Sequence, residues 1–285
     1  MIYLRWHSVL RQSKVSICLL TVTLILLALA PSVLAEARPD DQGGWEFSIT
    51  PYGWFISMKG KVTVRGLEAD VDASFSDIWD ELNYGVFLEY EARKGNWGFW
   101  GNTMYANLGD SNVDGPDGLV KIDPTVNGLW QGLGGLYRLG IWNLADAPGK
   151  KPSTVTIDTY IGARYTYLDV SIDFKGVYQG QTRNVDGDKS WVEPLIGVRT
   201  LWDLSERWTI NLLGDIGGVA FGSDFAWNVF GLVGYRFPLF SKENNATVFA
   251  GYRALSQDYT DGSGRDKFQW DMTLYGPLLG LRIDF

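Results

Sequence analysis

The sequence predicts an all-β fold: a transmembrane antiparallel up-and-down β-barrel of about twelve strands, with ten as the second choice, and one short loop or plug helix. Three observations predict it. Segments of about ten residues alternate in polarity, the connections between them come in two sizes, and aromatic residues gather at the segment ends. After residue 35 no apolar run is long enough for a membrane helix, so strands have to do the crossing.

Residues 1–35 read as a cleaved export signal. Arg5, Arg11 and Lys14 form a basic flank, 15–29 an apolar core, and Val33-Leu34-Ala35 a small-residue exit. The rival, an N-terminal membrane anchor, suffers from a short apolar run and from Pro31. Residues 36–285 are then a single barrel domain. His7 and Cys18 leave with the signal, so the mature chain has neither residue type. A disulfide framework is excluded, and the usual zinc, copper and haem ligands are missing, so no cofactor and no metal are expected. The missing imidazole also argues against an enzyme, because barrel lipases and acyltransferases resemble one another in using His as the base beside Ser. The mature chain has 33 acidic against 22 basic residues, a net charge of −11, which excludes nucleic acid as a partner.

The strand candidates fall at 45–57, 61–73, 83–94, 97–109, 119–139, 154–174, 190–203, 208–222, 225–237, 246–259 and 268–285. In 83–94 one face carries Tyr84, Val86, Leu88, Tyr90 and Ala92, the other Gly85, Phe87, Glu89, Glu91 and Arg93. In 208–220 Trp208, Ile210, Leu212 and Ile216 oppose Thr209, Asn211 and Asp215. In 246–257 Val248, Ala250, Tyr252 and Ala254 oppose Thr247, Gly251, Arg253 and Gln257. An odd count does not suit a bacterial barrel, so either one candidate is false or one is split, and 111–139, with Pro124 as an interruption, is long enough to hide a further strand. Pro51, Pro194 and Pro277 should mark bulges or strand ends.

Between strands, Lys94-Gly95-Asn96 and 204–207 are tight, whereas 110–118, 176–189 and 260–267 are longer, polar and rich in Gly and Asp. Short inner turns and longer outer loops are the expected asymmetry. Residues 74–82 carry a helix signal: Ser74 and Asp77 stand at capping-box spacing, and Ile78, Trp79 and Leu82 can share a face. Trp45, Trp97, Trp142, Trp191, Trp202, Trp208, Tyr235 and Phe237 are placed near strand ends, where amphipathic rings settle at headgroup level.

The chain ends in Leu279-Gly280-Leu281-Arg282-Ile283-Asp284-Phe285, an alternating strand closing on a terminal Phe. It resembles the C-terminal assembly signal of Gram-negative outer-membrane proteins, with Phe285 as its last residue. The opening Trp45-Glu46-Phe47-Ser48-Ile49-Thr50-Pro51-Tyr52-Gly53-Trp54, followed by Ser74-Phe75-Ser76-Asp77-Ile78, resembles a family of outer-membrane barrels without assigned activity. The resemblance implies the bacterial outer membrane as location. It implies outer-membrane lipids, lipopolysaccharide and the barrel assembly machinery as partners.

One pattern recurs five times: Gly162-Ala163-Arg164, Gly197-Val198-Arg199, Gly234-Tyr235-Arg236, Gly251-Tyr252-Arg253 and Gly280-Leu281-Arg282. The middle residue falls on the apolar face, so Gly and Arg share the lumen face, with the Gly leaving room for guanidinium arms. By the same alternation Arg93, Arg138, Glu89, Glu91, Glu193, Asp215 and Asp284 point inward. The predicted lumen is a mixed belt of arginine and carboxylate. Two uses fit it. A narrow passive channel for small solutes or ions would use the belt as a charged constriction. A non-conducting structural or ligand-binding barrel would use it to fill the interior.

Overall fold

The computed structural model describes residues 44–109, 113–114, 120–145, 153–176, 182–218, 222–238 and 245–285; the predicted export signal lies outside them. Thirteen strands form: β1 (Glu46–Trp54), β2 (Ser57–Val64), β3 (Leu67–Ala73), β4 (Leu82–Lys94), β5 (Trp97–Gly109), β6 (Val113–Asp114), β7 (Val120–Ala145), β8 (Ser153–Gly176), β9 (Thr182–Asp203), β10 (Trp208–Gly218), β11 (Phe225–Pro238), β12 (Asn245–Asp261) and β13 (Phe268–Asp284). A short helix, α1 (Phe75–Glu81), separates β3 from β4. Every ladder is antiparallel, and β13 pairs back onto β1, so the sheet closes. Ten strands make the wall, in the order β1, β4, β5, β7, β8, β9, β10, β11, β12, β13. The hairpin β2–β3 adds two more on top of β13, and the two-residue β6 rests on β7.

Residues 61–73, expected as one strand, are part of that hairpin. Val64 pairs with Leu67 across Arg65 (φ 51°) and Gly66 (φ 75°), the two left-handed residues that a tight two-residue turn requires. Arg at the first of them is an unusual choice, which hides the turn from sequence. The stretch 111–139, expected to hide a further strand, holds the two-residue β6 and then β7, which runs straight through Pro124, paired with Ile172. Of the polar segment 176–189, expected as a loop, the described residues 176 and 182–189 are strand. The β8–β9 ladder runs up to Lys175 and Thr182.

The prolines sit where ladders end. Pro51 makes the last pair between β1 and β4. The β9–β10 ladder stops at Leu195, one residue from Pro194. Pro277 lies where β13 exchanges partner β2 for β1. A proline has no N–H for a continuing ladder, so each marks an edge that the barrel does not pair. Beyond Pro51 the β1–β4 ladder ends, and α1, just before β4 in the chain, touches β2 and β5. The capping box expected there forms: Asp77 N–H donates to Ser74 Oγ and Ser74 N–H to Asp77 Oδ2. Hydrogen bonds from the Ser74 hydroxyl and N–H hold the Asp77 carboxyl below the usual carboxylate range.

Outside, Phe99, Leu133, Ile161, Ile196, Leu212, Val233 and Leu279 stay exposed, a belt of apolar side chains that only lipid can cover. At the end where the barrel's own termini, Glu46 and Phe285, meet, Trp97 packs on Tyr137 and Trp208 on Tyr235, a girdle of rings. Trp191 departs from the girdle assignment. It shares strand parity with Glu193 and Leu195, so it faces inward and stacks on Tyr259 at 4.2 Å. Phe285 closes the seam, exchanging backbone hydrogen bonds with Phe47.

Candidate functional site

Strand parity decides what enters the bore. Tyr84 and Val86 on β4 are exposed to lipid, so Glu89, Glu91 and Arg93 point in. Arg93, Arg138, Arg199, Arg236, Arg253, Arg282, Glu89, Glu91 and Asp284 line a cavity of about 400 Å³ that opens at the end where the termini meet. Arg164 and Asp215 line a smaller space of about 50 Å³ above it, and Glu193 is fully buried beside them.

The charges form two layers. In the lower one, Arg93 donates to Glu91 at 3.1 Å and to Asp158 at 2.7 Å. Arg199 grips the same two carboxylates, both at 2.7 Å, and Arg138 reaches Asp158 at 3.3 Å. Three guanidiniums from β4, β7 and β9 thus share two carboxylates from β4 and β8, an arrangement that charge-assisted bonds make strong. Nearer the rim, Arg236 pairs with Asp203 at 2.9 Å and Arg282 with Asp284 at 2.7 Å.

In the upper layer Arg164 divides its fork between Glu193 and Asp215, each at 2.7 Å. The remaining lone pairs are taken. Tyr160 and Asn228 donate to Asp215, Ser223 donates to Glu193, and Gln257 donates to Glu193 and Thr166. Gln257 Oε1 accepts in turn from Trp130 Nε1 at 2.7 Å. Trp130 is on β7 and Gln257 on β12, with four wall strands between them either way round, so this bond runs straight across the bore. Just beyond it, Met104, Leu168, Leu255, Met272 and Leu274 are fully buried and pack with Trp54, Trp191, Phe268 and Trp270.

The lumen glycines work differently from the expectation that they make room for arginine. A Cβ on Gly197 meets the Tyr160 ring, and one on Gly280 meets the Phe249 ring. At Gly234 the neighbours are Thr209 and Thr247. At Gly162 and Gly251 they are chiefly the backbone of adjacent strands. The vacated space is filled by rings and by close strand approach, because a flat ring covers a glycine more fully than a guanidinium arm.

Asp158, Asp203, Tyr160, Asn228, Trp130 and Gln257 complete the site and were not among the expected belt residues, although Gln257 had been assigned to the face opposite Val248. Parity carries the signal for two of them: Asp158 and Tyr160 share a face of β8 with Arg164.

Among solved structures, the chain is similar to the attachment invasion locus protein Ail of Yersinia pestis in complex with the heparin analogue sucrose octasulfate, at 12% identity over 86% of this chain and 100% of that one, TM-score 0.32. It is also similar to a Pseudomonas aeruginosa FadL homologue, at 8% identity over 85% and 89%, TM-score 0.30. A third is the P. putida toluene transporter TodX, at 11% identity over 87% and 90%, TM-score 0.24. No family model matches the chain, and no curated protein matches it in sequence. The class follows from geometry. A closed antiparallel up-and-down sheet with an apolar outer belt, a ring girdle and a charged interior is an outer-membrane β-barrel.

Proposed function

We propose that this outer-membrane barrel does not conduct, and that it holds a blind polar vestibule open at the end carrying the termini. One observation carries this reading: the Trp130–Gln257 hydrogen bond spans the bore between opposite walls, backed by fully buried Met104, Leu255 and Met272. Small barrels are commonly filled by their own side chains in this way. The space of about 400 Å³ below the closure is the size of a small-molecule site, which favours a binding role over a purely structural one.

The second reading is a narrow channel. It is favoured by the way polar space continues past the lower layer, since Glu89, Asp158, Arg199 and Arg253 border both cavities. Osmotic swelling of proteoliposomes separates the two. Vesicles carrying the folded barrel are expected to swell no faster in isotonic glycerol or arabinose than vesicles without protein. Swelling graded by solute size would overturn it and install the channel.

A further inference from the structure

Below the exposed rim, where Glu46 stands, charge pairing in the lumen leaves one residue of each sign over. Every lumen arginine but one has a carboxylate at ion-pair distance: Arg93, Arg138, Arg164, Arg199, Arg236 and Arg282. The exception is Arg253, which is only 5% exposed. Its partners are neutral: Asn228 Oδ1 at 2.8 Å, the Tyr52 hydroxyl at 3.0 Å, Met104 sulfur at 3.1 Å and the face of Trp54 at 4.9 Å. No atom of the described residues accepts from its Nη2. Glu89 is the converse, a lumen carboxylate with neither hydrogen bond nor ion pair among the described residues.

The two border the same two cavities. Between them stands the Tyr52 hydroxyl, which accepts from Arg253 and from Asn102 Nδ2 at 3.0 Å; Asn102 is the cross-strand partner of Glu89. They therefore face the closed end of the vestibule from either side of Tyr52. A buried charge without its counter-charge is costly, and below the rim the other lumen charges of the described residues are paired. The fork of Arg253 is fixed by Asn228 and Tyr52, so its free Nη2 is preorganised for a carboxylate.

We infer that the closed end of the vestibule binds a small zwitterion, an aliphatic amino-carboxylate whose carboxylate meets Arg253 and whose ammonium meets Glu89. Phe230, which borders both cavities, supplies an apolar flank for the methylenes between the charges. The inference rests on the reading of the lumen as blind, since the ligand is held there and not passed on.

The test is titration calorimetry of the refolded full-length barrel domain in detergent. The probes are glycine, β-alanine, 4-aminobutanoate and 6-aminohexanoate, with butanoate and butylammonium as single-charge controls. At least one zwitterion is expected to bind saturably, with each control about tenfold weaker or more, the loss of one charge-assisted contact. Glu89→Gln should weaken the zwitterion about tenfold and leave butanoate unchanged. Glu89 makes no hydrogen bond or ion pair among the described residues, so this variant keeps the fold. Arg253→Gln should weaken zwitterion and butanoate alike. Silence toward every zwitterion, equal binding of butanoate, or indifference to Glu89→Gln overturns the inference. A barrel that binds the zwitterion but lets solutes through in vesicles overturns only the blind lumen. One that is impermeable and binds none overturns only the zwitterion.

Discussion

The two halves of the lumen are built with opposite chemistry on one wall. Toward the termini, Arg93, Arg138 and Arg199 hold Glu91 and Asp158 and leave open space beside them. Toward the far end, Leu168, Leu255, Phe268, Met272 and Leu274 pack as an apolar cluster, and Arg253 reaches only its near edge at Met104 and Trp54. The difference teaches where each kind of filler works. Charges can line a bore that water enters, because the solvent shares the cost of keeping them ionised. Closing the bore needs apolar packing. The layer of Arg164, Glu193 and Asp215 lies at the boundary, where every charge has a partner because water is nearly absent.

The largest expected effect is at that boundary. Arg164→Ala strands Glu193 and Asp215 without their cation and should cost about 3–5 kcal/mol in urea unfolding followed by tryptophan fluorescence. A loss below about 1 kcal/mol would mean that water reaches the layer, and the division into wet and dry halves would fail. Leu255→Ala, in the apolar half, should cost about 2–4 kcal/mol through the cavity it leaves. Arg199→Ala removes contacts to the same number of carboxylates as Arg164→Ala, yet should cost less, about 1–3 kcal/mol. Arg93 still holds both Glu91 and Asp158, and the open vestibule hydrates them. Equal losses for Arg164 and Arg199 would erase the contrast.

The smallest effect is expected away from the lumen. Ser74→Ala removes the cap of α1 and should fray that helix, read as faster amide exchange over 75–81 with the global midpoint nearly unchanged. Because Ser74 depresses the Asp77 carboxyl, the cap's contribution is present above the ordinary aspartate range. It is lost as pH falls through the depressed value, so exchange in the wild type should approach that of the variant only in acid.

Much of this was legible in the sequence, for a definite reason. A strand has a period of two, so a run such as 83–94 fixes both its extent and which side chains meet lipid. The Gly-x-Arg pattern and the parity of Glu89, Glu91 and Glu193 put those residues inside before any contact was known. What parity cannot give is who meets whom across the bore. Trp130 faces Gln257 because of the register accumulated over successive ladders, and no local spacing encodes that sum. The turn at Arg65-Gly66 lacks the Asn-Gly or Asp-Gly signal, so two strands read as one. Trp191 was assigned by residue type where parity with Glu193 held the better clue. The lumen glycines were read as space for arginine because the rings that cover two of them, Tyr160 and Phe249, come from neighbouring strands.

The central claim is that the lumen is spanned at mid-height by Trp130 and Gln257 and plugged beyond them. Single-channel recording in a planar bilayer tests it most directly, on the wild-type barrel and on the double variant Trp130→Ala, Gln257→Ala, each verified as folded by its shift in gel mobility on boiling. A silent wild type is expected, and reproducible conductance steps are expected once Leu255→Ala and Met272→Ala are added to that variant, so that the apolar plug opens together with the cross-bore pair. Steps of the same size from wild type and from the fourfold variant would contradict the claim, because ions would then be passing a closure that does not exist.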